Sequence, residues 1–443
     1  MPVADPVAPI VPHHLLVLLL QLGVLLMLAA LLGRLARKCG MPAIVGELCA
    51  GALAGPSVLG ALSPDLSGWL FPADGAQTHL LDAVGQVGLL LLVGLTGMEL
   101  DFGLVRRRGR VAAQISAAGF VLPLVLGVGL GLLLPASLLQ EGADRTAFVL
   151  FLGVAMSVSA IPVIAKTLFD LKLVHRNVGQ LILAAGVVDD VAGWLMLSVV
   201  SALATSGLQT GDLGRSLICL GAVVVFALVL GRPTIRLVMR SCGGRPGEHP
   251  AGQLAVAVAL IVLAAAGTHA MGLEAVFGAF VCGIVMRASG AVDPAVLAPL
   301  RGVVLAVLAP IYFATAGLRM DLTALVRPSV LLAAVAVLVV AIVGKFAGAF
   351  LGSLAARYGP WEALAIGAGM NARGVIEVIV AMAGLRLGVL STEAYTIIVL
   401  VALVTSVMAP PLLRVAMGRV EQTAEEALRR RDDDPFRHVE EAT

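Results

Sequence analysis

Four ionisable residues lie where ionisable residues are costly. Asp189 and Asp190 fall about twelve residues into a long apolar run, roughly 17 Å along a helix. Lys345 lies about ten residues into a second such run, and Arg373 about twelve into a third. Charges at that depth usually mark an ion or proton path. Two acids and two bases at one depth read as a single buried polar site. Adjacent carboxylates repel, so a purely structural role would favour Asn at one position. Na⁺ and Li⁺ are hard cations that prefer oxygen ligands. A carboxylate held away from water also keeps its proton more readily. One group can then hold either a proton or a metal cation but not both, which is the minimum machinery for exchanging them.

Two stretches look broken at the same depth. Met156 to Pro162 carries Ser157 and Ser159 and ends in a proline that interrupts the helical ladder. Gly367 to Gly374 is too rich in glycine and polar groups for an uninterrupted helix in lipid. Unwound segments in corresponding positions of two halves point to a transport site between inverted repeats. Ser157, Ser159 and the carbonyls freed at Pro162 are the expected further oxygens. Glu377 follows Arg373 by four residues, well placed for a local ion pair. Lys345 is expected to pair with Asp189, leaving Asp190 to exchange ligands. Gly344, Gly348 and Gly352 form a small-residue face beside Lys345 that suits packing, and Glu47 is an acid nearer its span end.

The elements that position these residues follow from composition. Of 443 residues, 59% are hydrophobic and 13% charged, about half the charged share of roughly 25% in soluble proteins. Mean hydropathy is +1.01. A soluble globule and a disordered chain are both excluded. The fold class is an all-α polytopic membrane protein with inverted repeats and two crossing broken helices. About thirteen spans are expected, near 14–33, 41–60, 79–100, 111–135, 146–168, 178–203, 214–231, 251–269, 273–289, 298–318, 329–354, 361–385 and 392–416. The five cysteines show no metal or disulfide spacing. No nucleotide-binding, protease or hydrolase motif occurs. Neither an enzyme nor a cofactor is expected, and no nucleic-acid partner.

Lysine and arginine set the orientation. With the N-terminus outside, inside loops and the tail hold twenty-three of these residues and outside loops five. Lys345 and Arg373 are the remaining two. The expected location is a bacterial inner membrane with a cytoplasmic C-terminus. The polar tail, 420–443, is expected to be a short helix followed by disorder.

The Pro42–Pro56 segment, the Val188-Asp189-Asp190 motif, Lys345 and the run Gly369 to Glu377 resemble bacterial monovalent cation:proton antiporters of the second cation:proton antiporter family, within the sodium/hydrogen exchanger superfamily. The resemblance runs from about 15 to 415. It implies a homodimer with two parts per protomer. The dimerisation part would come from 14–100 and 251–318, and a mobile ion-carrying core from 111–203 and 329–416. A linker helix at 214–231 would join them. The core would move as an elevator carrying the ion at Asp190. Members with an Asp-Asp pair and a lysine tend to be electrogenic. Na⁺ (or Li⁺)/H⁺ exchange is the leading expectation, with K⁺/H⁺ exchange on the same scaffold as the alternative. An organic-anion symporter would want a more polar cavity, and a channel would show flux without proton coupling.

Overall fold

The computed structural model of the chain describes residues 10–72, 74–100, 102–206, 210–242, 250–423 and 426. Among the described residues the fold is helical, with one isolated bridge between Leu139 and Leu390. Eleven helices are long and apolar enough to cross a membrane, and the bent pair Pro360–Met370 and Val375–Arg386 makes twelve. Ala275–Ser289, apolar but only 15 residues long, occupies the place of the ninth expected span.

Spans 1 to 6 are Pro12–Lys38, Ala43–Leu62, Gly75–Glu99, Arg107–Leu133, Arg145–Asp170 and Asn177–Thr205. Span 7 is Gly214–Ser241, span 8 Pro250–Ala270, span 9 Ala275–Ser289 and span 10 Ala295–Leu318. Span 11 is Pro328–Ala355, span 12 the bent pair, and span 13 Thr392–Met417.

Span 7 departs from expectation. Its helix does not stop at 231 but continues through wide turns at Ala227–Gly231 into Arg232–Cys242. The wide turns span the carbonyl that Pro233, lacking an N–H, leaves unbonded. Arg232, Arg236 and Arg240, expected in a loop, therefore form an exposed stripe at four-residue intervals on a helix. Their long side chains let the charges reach water while the helix runs on. The expected tail helix lies outside the described residues except Glu426. Its carboxylate accepts from the Asn177 amide at 2.6 Å and pairs with Arg176 at 3.1 Å.

Helix packing sorts the spans into two groups. Span 2 packs on spans 1 and 10, span 3 on spans 9 and 10, and span 8 on span 9. Span 4 packs on spans 5, 6 and 11, and span 12 on spans 11 and 13. In lipid, apolar burial does not drive helices together, so close backbone approach through small residues carries much of the packing. Gly348 lies against span 4, where a Cβ would meet the Ala118 carbonyl oxygen at 2.5 Å. The tightest approach is between spans 2 and 10. A Cβ on Gly317 would lie 2.1 Å from the Leu48 carbonyl oxygen, and one on Gly51 1.9 Å from that of Ala314. Both obstacles are backbone and cannot swing aside.

Gly317→Ala should therefore force spans 2 and 10 apart and cost about 1–3 kcal/mol. Gly129→Ala, with open space around the added carbon, is the control. Thermal unfolding in detergent should show a lower midpoint for the first and none for the second. Equal midpoints would mean the contact is not tight.

Candidate functional site

Span 5 breaks where its sequence stops supporting a helix. Arg145–Ser157 ends, Val158 to Ala160 run extended, and Ile161–Asp170 resumes with Pro162 in its first turn. A helix end leaves its last four carbonyls without helical partners. Here those are Val154, Ala155, Met156 and Ser157. The Val158 amide reaches Val154 at 3.2 Å. Arg373 donates to Ala155 at 2.8 Å and to Met156 at 2.5 Å. Lys345 donates to the Ser157 carbonyl. Two buried cations thus meet the negative end of the half-helix.

Span 12 breaks beside it. Its halves, Pro360–Met370 and Val375–Arg386, are bent by 43°. The two breaks are tied together directly. The Ala160 amide donates to the Ala372 carbonyl at 3.1 Å, and Ser159 Oγ to that of Met370 at 2.7 Å. Arg373 also donates to the Ala341 carbonyl of span 11 at 2.9 Å and pairs with Glu377 at 3.4 Å. Ser406 of span 13 donates to the Arg373 carbonyl.

The two aspartates of span 6 meet different surroundings. Asp189 pairs with Lys345 at 2.5 Å and accepts from Ser116 Oγ of span 4 at 3.0 Å. Asp190 is fully buried, and neither of its oxygens has a hydrogen-bond partner among the described residues. The Ile161 amide, heading the second half of span 5, faces it without closing a bond. A buried carboxylate left bare is costly and calls for an explanation. The structure brings Asp189, Asp190, Lys345, Arg373, Glu377, Ser157 and Ser159 into one buried cluster. The two serine hydroxyls are spent on backbone carbonyls, Ser157 on Gly153 at 2.7 Å.

Sequence reasoning missed two neighbours. Ser116 is an isolated serine in an apolar run and carried no signal. Asn371 did carry one, as an amide in the break itself. It is fully buried, and neither its side-chain oxygen nor its nitrogen has a partner among the described residues.

A cavity of about 580 Å³ opens between the two groups of spans at the arginine-rich face. Glu47 and Glu99 line it from one group, and Pro162, Lys166 and Val375 from the other. It reaches the second halves of both broken spans. At the opposite face the groups are closed on each other. Tyr395 Oη donates to the Ala316 carbonyl at 2.7 Å, the Asp321 amide to Thr396 at 2.9 Å, and Arg386 pairs with Glu274 at 4.0 Å. Between Asp190 and that face, Trp194, Ser198 and Ser201 follow on one stripe of span 6. All are buried, and their side-chain polar atoms have no partner among the described residues.

Comparison with known proteins adds an independent line. The family profile described as "Sodium/hydrogen exchanger, transmembrane" matches residues 24–417. The chain is 33% identical over 398 residues to cation/H⁺ antiporter 19 of Arabidopsis thaliana, covering 89% of this chain. It spans about half of that relative's length, 49%. It is 32% identical to the Na⁺/H⁺ antiporter NhaS4 of Synechocystis, covering 90% of this chain and 97% of that one. In fold it is similar to the sodium proton antiporter MjNhaP1 of Methanocaldococcus jannaschii. That match has a TM-score of 0.65 at 18% identity, covering 91% of this chain and 99% of that one.

Arg373→Ala should lower stability in detergent by about 3–5 kcal/mol, because it strands three buried carbonyls and the Glu377 carboxyl. A normal unfolding midpoint would show that Arg373 does not hold the crossing.

Proposed function

The chain belongs to the sodium/hydrogen exchanger family, and from that premise we propose that it is a secondary transporter exchanging Na⁺ (or Li⁺) for H⁺ across the membrane. Asp190 is the group that holds either ion. The observation that carries this reading is the contrast between neighbours, Asp189 fully engaged and Asp190 bare. The buried cluster holds three carboxyl side chains against two basic ones. With all five ionised, one negative charge is left over. A single proton or a single monovalent cation neutralises it, and no room in the charge balance remains for both. Ser159 and Asn371, which lie in the two breaks, are the candidate further oxygens.

Spans 1–3 and 8–10 form the dimerisation part of a homodimer, and spans 4–6 and 11–13 the moving core. The orientation is the one with the arginine-rich face in the cytoplasm. In this arrangement the cavity beside Glu47 is an inward vestibule. The outward route is shut by the contacts of Tyr395, Thr396 and Arg386. The dry polar stripe of Trp194, Ser198 and Ser201 supports alternating access. Leaving such groups unpaired costs about 1–3 kcal/mol each, and sliding the core would bring them to water. Lys345 is the second proton carrier. When a cation draws Asp189 away, the lysine is left desolvated and unpaired and gives up its proton to the vestibule, so two protons leave per cation and the ion-loaded cluster keeps one net negative charge.

Asp190→Asn keeps the shape and removes the ionisable oxygen. Proton efflux from inverted vesicles on adding Na⁺, Li⁺ or K⁺ should vanish, with the protein folded. Sizeable retained exchange would reject Asp190 as carrier, and the cation that drives wild-type efflux decides selectivity.

Lys345→Gln should leave exchange possible but insensitive to membrane potential. Exchange still driven by potential in that variant would make the lysine structural.

A further inference from the structure

Span 7 buries almost none of its apolar surface. Ile218, Leu228 and Leu237 are exposed along it. Between it and spans 8 and 9 runs a cleft of about 630 Å³, lined by Ala222, Phe226, Leu260, Gly267 and Cys282 among others. Its two hydroxyls are already spent on backbone carbonyls, Thr234 on Leu230 and Thr268 on Ala265. The cleft therefore offers a ligand hydrocarbon contacts and little else. From Ala222 to Ile235 it follows the helix for roughly 20 Å, more than the roughly 15 Å hydrocarbon depth of one leaflet.

Toward the arginine-rich face the helices close on each other. A Cβ on Gly231 would meet Val285 at 2.8 Å, and Arg236 Nε donates to the Ser289 carbonyl at 2.8 Å. Beyond that contact lies a second cavity of about 230 Å³, lined by Arg236, Arg240, Gln253 and Ser289. It continues the same seam. Ile235 and Val285 line the cleft, and Met239 and Ser289, four residues further on each helix, line the second cavity. No carboxylate lines it, and neither arginine has an acidic partner among the described residues. An apolar cleft ending in two guanidiniums that have no acidic partner among the described residues matches one kind of molecule in the surrounding bilayer.

We propose that this seam is a binding site for an anionic phospholipid. Arg236 and Arg240 hold its phosphate, and an acyl chain fills the cleft between spans 7, 8 and 9. The guanidinium fork suits phosphate oxygens, and basic pockets between membrane helices recognise acidic headgroups. A zwitterionic lipid also carries a phosphate, but its own cation already neutralises it. The inference does not depend on which ion the transporter carries.

The test uses the full chain in detergent micelles with added dioleoylphosphatidylglycerol or dioleoylphosphatidylcholine. Bound lipid is counted by native mass spectrometry and the unfolding midpoint recorded. Phosphatidylglycerol should stay bound and raise the midpoint more than phosphatidylcholine. Replacing both arginines, Arg236→Gln with Arg240→Gln, should weaken phosphatidylglycerol binding by about thirtyfold, the effect of two basic residues at the membrane surface. Arg240→Gln alone guards against a folding defect from losing the Ser289 contact. Gly267→Leu adds its side chain where a Cβ meets nothing within 4 Å. It should fill the cleft and weaken binding with both arginines in place. Equal binding of the two lipids, unchanged by the arginine substitutions, overturns the proposal. So does a Gly267→Leu variant that changes the dimer fraction without changing lipid binding, since the cleft would then belong to a second copy of the chain.

Discussion

The carbonyls at the broken end of span 5 need donors in a place that water does not reach. Within hydrocarbon, irregular backbone is tolerated only where protein or a water-filled cavity satisfies it. Here the donors are charged. Arg373 takes Ala155 and Met156, and Lys345 takes Ser157. Much else follows from that choice. Two buried cations need compensating anions, which Glu377 and Asp189 supply. Each cation also comes from a different span, so satisfying one helix end locks spans 5, 11 and 12 together. The crossing is rigid because its backbone accounting is complete from three directions.

That rigidity gives Asp190 its chemical character. Its neighbour on the same helix turn is consumed by Lys345 and Ser116, while Asp190 faces the positive end of the resumed half-helix at Ile161 and closes no hydrogen bond among the described residues. The positive helix end favours the ionised carboxylate, and the net charge of one in the cluster is what the proposed exchange of a proton for a cation would use. Ser157 and Ser159 donate their hydroxyl protons to the Gly153 and Met370 carbonyls, which leaves only the lone pairs of those oxygens to face an ion.

The depth of the charges was legible in the sequence because an apolar run is a ruler, and a charge within it has nowhere else to be. The breaks were legible for a similar reason, since Pro162 and the glycines around Asn371 cannot sustain a lipid-facing helix. Which group satisfies which was not. Ser116 lies seventy-three residues from Asp189, and only the packing of span 4 on span 6 brings them together. Span 7 runs ten residues past the end that its apolar run suggests, because Arg232, Arg236 and Arg240 lie on the helix and not in a loop. Their four-residue spacing, which keeps a helix amphipathic, was the available signal. The closing contacts at the far face, such as Tyr395 with Ala316, join residues from different packing groups and leave no local trace.

The proposed exchange rests on one bare carboxylate that holds a proton or a cation, never both. Calorimetry of cation binding to the purified protein, repeated in buffers of different ionisation enthalpy, counts the protons released as the cation enters. Protons should be released as the cation binds the wild type, with neither binding nor release in Asp190→Asn. Cation binding without proton release, or undiminished binding to Asp190→Asn, would contradict the proposed exchange.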